Sequence, residues 1–193
     1  ITGRTIQSYA AGRRLAKATA AVRDTEVPLL DIALEHGYSS QAALTRAFRE
    51  AYGCTPSAYR KHPIPIPLSI RKVVLNPSHY IERGVVNMSE SCLTQAQIWM
   101  EFIPAHKFIG LYDIHAQGYW NMEQREDFET IEGILESLVP FEHPVVWSHH
   151  AGWYYEKGKK GYFYGTGVPL DYSGAIPDGF ELRTYPESLY LVF

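Results

Sequence analysis

The chain predicts an α+β protein: a small all-helical portion followed by an antiparallel sheet with a packed helix. Three observations carry this. Up to about His62 the apolar residues recur at helical spacing, and the run HPIPIPLSI then breaks the pattern with alternating prolines. Beyond Gln97 the segments alternate with period two and are rich in β-formers. Third, 46% hydrophobic and 20% charged residues describe a globular chain rather than a disordered one. No apolar run approaches the roughly 20 residues that a membrane span needs, and no signal peptide is visible at the start. Cys54 and Cys92 lie in different regions without metal spacing, so they read as two reduced thiols of a cytoplasmic protein.

The net charge of −3 hides a split. Residues 1–62 hold 9 Lys/Arg against 5 Asp/Glu, a surplus of +4, whereas the remainder holds 9 against 16, a deficit of −7. A basic portion suits phosphate contact, and DNA would repel an acidic one. Two different partners are therefore expected.

From Thr5 to about Asp24 the sequence predicts a helix with Ala11, Leu15, Ala18 and Val22 as its buried stripe. Glu26 and Pro28 open a second helix that runs to His36, and Gly37 follows where a chain leaving a helix commonly needs φ > 0. Ser39 or Ser40 can cap the third helix by accepting from its free N–H groups. In that helix Leu44, Ala47, Phe48 and Ala51 form one stripe, while Gln41, Thr45 and Arg49, with Arg46 alongside, lie opposite. Gly53 lets the helix end, Pro56 suits the first turn of a short closing helix, and Phe48 and Tyr59 read as core. This is helix-turn-helix geometry, and the outward residue types suit base edges and phosphates: amide to adenine, guanidinium to guanine or phosphate, hydroxyl to either.

The stretch DIALEHGYSSQAALTRAFREAYGCTPSAYRK closely resembles the second helix-turn-helix of the AraC/XylS family of bacterial transcription regulators. The matching features are Ile32, Ala33, Gly37, Tyr38, Ser40 and Gln41, then Arg46, Phe48, Gly53, Pro56 and the Tyr59-Arg60 end. The resemblance implies that the first helix is the family's long linker helix, with Arg13-Arg14-Leu15 matching a recurrent run. One arginine of that pair is the kind that serves structure. It also implies double-stranded DNA as partner, with RNA polymerase as a second candidate. The expected contacts are Ser40, Gln41, Thr45, Arg46, Arg49 and Arg60. Family members carry two such units, so the chain is expected to be truncated at its start.

Residues 63–96 read as a linker, in which Arg71 and Lys72 suit either phosphate or solvent. The second domain, residues 97–193, opens with strands over Gln97–Ile103 and Lys107–Ile114, joined by a turn at Pro104-Ala105-His106. A Gly/aromatic loop leads to a helix over about Asp127 to Leu138, with Phe128, Ile131, Ile134, Leu135 and Leu138 inward. A hairpin with its turn at Gly158 to Gly161 follows, then two more strands about Pro186-Glu187.

This order resembles the first half and the beginning of the second half of a GyrI-like effector-binding domain (an SHS2-type half). Supporting features are Phe102 to Gly110, Gly165 to Pro169 and Tyr185-Pro186-Glu187. The resemblance implies a small-molecule effector, aromatic, amphipathic or cationic, and a domain incomplete at its end. Tyr112, Trp120, Trp153, Tyr155, Tyr162 and Tyr164, with Glu156 as carboxylate, are the expected ligand-binding set, because aromatic faces attract organic cations and stack flat ligands. The same rings equally suit the core and cross-strand ladder of a small sheet. His149 and His150 are adjacent and cannot chelate one metal from a strand. No catalytic motif appears, so neither an enzyme, a metal nor a cofactor is expected. The alternatives are a small-molecule hydrolase, or a domain that binds no ligand and contacts other proteins.

Overall fold

The computed structural model describes residues 5–70, 99–146, 149–156 and 158–192, with the backbone alone at 99, 120, 149–151, 153–156, 159 and 192. Arg71, Lys72, Cys92 and most of the expected linker lie outside these residues.

Four helices form the first portion: α1 (Ile6–Asp24), α2 (Leu29–Glu35), α3 (Gln41–Tyr52) and α4 (Pro56–Lys61). Short side chains start three of them. Thr5 accepts from Ser8 N, Ser40 from Ala43 N at 3.2 Å, and Thr55 from Ala58 N, each satisfying a first-turn donor. Gly37 (φ 75°) ends α2 and Gly53 (φ 72°) ends α3, both in the left-handed region. Leu15, Ala18, Val22, Ile32, Leu44, Phe48 and Tyr59 form the core. Ala11 and Ala51, expected in the stripes, are exposed; Ala16 and Thr19 are buried instead, so the α1 stripe is displaced toward its C-terminal half.

After α4 the chain runs extended. Ile66 and Leu68 are buried in the helical core while Pro67 between them is exposed, so residues 66–68 alternate in and out as part of an extended strap, residues 63–69, on the bundle. Arg13 Nη1 holds the strap by donating to Ser69 O at 2.6 Å.

The second portion contains β1 (Trp99–Ile103), β2 (His106–Asp113), α5 (Tyr119–Arg125), α6 (Phe128–Leu138), a 3-10 turn (Val139–Phe141), β3 (His149–Glu156), β4 (Lys159–Val168), β5 (Glu181–Tyr185) and β6 (Ser188–Val192). The strands make a four-stranded antiparallel sheet, β3-β4-β2-β5, and a separate pair, β1-β6. Both ladders share one register. Continuing the β2/β5 pairing three residues beyond His106↔Tyr185 gives Ile103↔Ser188, the first pair of β1/β6. Pro104 and Pro186 sit in the interruption, where their missing N–H groups break the ladder. The hairpin β3/β4 is tighter than expected: Glu156 pairs with Lys159, and Gly158 takes φ 79°. The expected Gly/aromatic loop contains α5, which hydrophobic periodicity did not announce.

Helices α5 and α6 cover one face of the sheet. Phe128, Ile131, Leu135 and Leu138 of α6 pack on Ile109, Tyr162, Tyr164 and Val168. Ile134 is only half-buried. At the centre Gly110 pairs with Gly165, and a Cβ at Gly110 would stand 2.3 Å from Tyr164 O, so the ladder closes only with glycine there.

The two portions touch along α6. A Cβ on Gly133 is permitted no room, falling 2.1 Å from Leu68 O of the strap. Ser137 Oγ accepts from Ile66 N at 3.0 Å. Arg23, at the end of α1, donates to Glu136 O and Ser137 O, both at 3.3 Å, placing a cation at the negative end of α6.

Candidate nucleic-acid interface

The sequence of α3 is amphipathic, and burial of Leu44 and Phe48 fixes which side faces out. Gln41, Thr45 and Arg49 follow at i, i+4 and i+8, so they stand in one row along the axis, with Arg46 beside it. From Gln41 to Arg49 the row spans ~12 Å at 1.5 Å per residue. That matches the width of the DNA major groove, about 12 Å. Gln41, Thr45, Arg46 and Arg49 line one shallow surface groove with Ala42 and Glu50. Gln41, Arg46 and Arg49 are exposed, and among the described residues neither arginine has an ion pair or side-chain hydrogen bond. Two free guanidiniums on a rigid helix are a ready anion contact.

The other expected contacts, and the Arg13-Arg14 pair, behave differently. Ser40 has its side chain engaged as the cap of α3, which leaves it at the groove's end as a positioning residue first. Arg60, expected among the DNA contacts, donates through Nε to Val22 O (3.0 Å) and through Nη2 to Val27 O (2.7 Å). It ties α4 to the end of α1, and its geometry is that of a structural brace. Of the Arg13-Arg14 pair, Arg13 is the structural one, and the Arg14 guanidinium lies 5.5 Å from the Tyr38 ring centroid.

Residues 1–62 match the family model described as a helix-turn-helix domain. The four-helix geometry of α1 to α4 agrees with that description. The same portion is 44% identical over 63 residues to the right origin-binding protein of Escherichia coli (strain K12), covering 33% of this chain and 22% of that protein. It is 44% identical over 61 residues to the transcriptional regulator Rob of Salmonella typhimurium, covering 32% of this chain and 21% of the relative. It is also 43% identical over 60 residues to the regulatory protein SoxS of E. coli (strain K12), covering 31% and 56%. The chain thus spans about a fifth of the first two relatives, through its helix-turn-helix domain alone.

The expected aromatic site does not assemble as one wall. Tyr162 and Tyr164 lie on the helix-covered face, inside the core. Burial and then the Glu132 carboxylate, which accepts from the Tyr164 hydroxyl, push the Tyr164 pKa up. Tyr112 pairs with Phe163, and Phe163 points opposite to its neighbours Tyr162 and Tyr164, so Tyr112 belongs to the other face. There the Arg183 guanidinium stacks 4.5 Å from the Tyr112 ring centroid. The sheet itself separates these rings, because β periodicity sends alternate residues through it. The side chains of Trp120, Trp153, Tyr155 and Glu156 lie outside the described residues.

The strap and the residues it brings together were not evident from the sequence. Its signal was present: Ile64, Ile66, Leu68 and Ile70 alternate, a strand-like pattern that the intervening prolines disguised as linker. Among the described residues no three His, Cys, Asp or Glu side chains converge as a metal would require, and no helix is long and apolar enough to cross a membrane.

Proposed function

We propose that the chain is a one-component transcription regulator that reads double-stranded DNA with α3 and answers to a small molecule through its sheet portion. The outward row of Gln41, Thr45, Arg46 and Arg49, whose arginines have no partner among the described residues, is the observation that carries the first half. The names of the relatives, an origin-binding protein and two regulators, agree with it. Docked in the major groove, Gln41 near the helix start and Arg46 one turn on face base edges, while Arg49 lies toward a flanking phosphate. The acidic sheet portion is kept off the DNA and is available to an effector of the GyrI-like kind. Its docking on α1 through Arg23 and on the strap through Gly133 offers a physical route by which ligand binding alters DNA or polymerase contact.

Selection of bound duplexes from a random pool, followed by titration at several salt concentrations, tests the reader. Arg46→Ala is expected to weaken the selected site by about 1–3 kcal/mol and relax preference at one position. Uniform weakening on all sequences makes Arg46 a phosphate anchor. No duplex binding even at ~50 mM salt, where phosphate contacts are strong, removes the DNA-reading function.

A further inference from the structure

The outermost ridge of α3 carries a carboxylate. Leu44 and Phe48 are fully buried and set the inward direction of the helix. At about 100° per residue the opposite direction is that of Arg46, with Ala42 and Glu50 about 40° to either side of it and Arg49 about 60° away. Ala42, Arg46 and Glu50, at i, i+4 and i+8, therefore form the row that projects furthest, and all three are exposed. They line the same shallow groove as Gln41, Thr45 and Arg49. A duplex that reaches Arg46 also meets Glu50.

The fold makes no use of that carboxylate. Among the described residues Glu50 has no ion pair or side-chain hydrogen bond, although Arg46 stands one turn before it. It lies in the last turn of α3, where the negative end of the helix disfavours an anion. Toward DNA it is repelled by every phosphate, and the favourable partner that the groove floor offers is a base amino group. Guanine and thymine present acceptors at their major-groove edges, and adenine sets its N7 acceptor beside its N6 donor. Cytosine presents the N4 donor alone, which is what a carboxylate accepts from. Between Arg46 and Glu50 the helix rises ~6 Å, which is about two base-pair steps of ~3.4 Å.

We propose that Glu50 is a specificity determinant of the reading helix: it accepts from the N4 amino group of a cytosine, about two base pairs from the point where Arg46 meets the duplex. The proposal rests on the DNA-reading half of the function above and adds to it a residue and a base. An arginine at the groove gains affinity on any duplex. A carboxylate beside it loses affinity on most sequences and recovers it where a cytosine amino group is in reach. Along one ridge, Arg46 supplies attraction and Glu50 supplies discrimination.

The test selects duplexes from a random pool with the full chain and with its Glu50→Gln and Glu50→Ala variants, then titrates the selected sites. The wild type is expected to select cytosine at one position, where any other base weakens binding about tenfold. Glu50→Gln is expected to move the choice at that position to adenine, because an amide pairs with N6 and N7 together. Glu50→Ala is expected to leave the position unread and to bind an unrelated duplex about threefold more tightly at ~100 mM salt. Urea midpoints are expected to stay put, since Glu50 is exposed. Identical selected sites for the wild type and both variants overturn the proposal while the DNA-reading function survives. So does a change in affinity that is equal on all sequences, because such a carboxylate reads no base. Failure of the wild type to bind any duplex at ~50 mM salt is the distinct result that removes the reading function, and the role of Glu50 with it.

Discussion

Arginines are used differently in the two portions. In the sheet portion both described arginines are engaged within the fold: Arg125 Nε with Asp113 Oδ2 at 2.7 Å, and Arg183 Nη2 with Glu181 Oε1 at 2.7 Å. In the helical portion Arg13, Arg23 and Arg60 cap carbonyls, but Arg46 and Arg49 of α3 project outward, without partners among the described residues. A fold that engages its other described arginines and leaves these two open marks a surface suited to an external anion.

The largest expected effect breaks the helical portion itself. Phe48 is fully buried and packs on Tyr52 and Tyr59 with centroids 4.9 and 5.5 Å away. Phe48→Ala should cost about 3–5 kcal/mol, seen as a lowered urea midpoint with loss of DNA binding. Next comes the seam. Gly133→Ala inserts a methyl against Leu68 backbone and should cost about 1–3 kcal/mol. Faster proteolysis between the two portions, with the helical content retained, would show that the strap has lifted; an unchanged digestion pattern would mean that Leu68 yields without undocking.

A smaller effect separates the two uses of arginine. Arg60→Gln should lower stability by roughly 1 kcal/mol through lost carbonyl bonds while leaving the salt slope of DNA binding intact. Arg49→Ala should do the opposite, reducing that slope by about 1 with the urea midpoint unmoved. Identical behaviour of the two would dissolve the distinction between brace and contact.

The smallest effect is acid-dependent. Burial alone would raise the Asp113 pKa, but hydrogen bonds from Arg125 and from His115 N–H outweigh it and hold the carboxyl below its usual range. The fold therefore favours the ionised form. The resulting stabilisation is complete above the ordinary carboxylate value of about 3.9 and is lost as pH falls through Asp113's own lower value. Arg125 is nearly half exposed, so solvent screens the pair and the contribution stays under about 1 kcal/mol. Urea midpoints compared between pH 6 and pH 2 should fall more in the wild type than in Asp113→Asn.

The four N-terminal helices, a serine cap at Ser39 or Ser40, the glycine stops and the polar row on α3 were determined by the sequence alone; the structure selected Ser40 and added the caps at Thr5 and Thr55. Each depends on residues within one or two helical turns, and the 3.6-residue period selects the outward face without further information. The six strands were also legible, for their alternation is local. Only the tertiary structure decided how those strands pair. The interruption at Pro104 and Pro186, the two sides of the sheet on which Tyr112 and Tyr164 end, and the contact of Leu68 with Gly133 all bring together residues far apart in the chain. Register and packing set such meetings, and a one-residue change in register would send every ring to the other face. Arg60 shows the same limit on a smaller scale. Its motif position suggested a DNA contact, and the carbonyls of Val22 and Val27, more than thirty residues earlier, gave it a structural one.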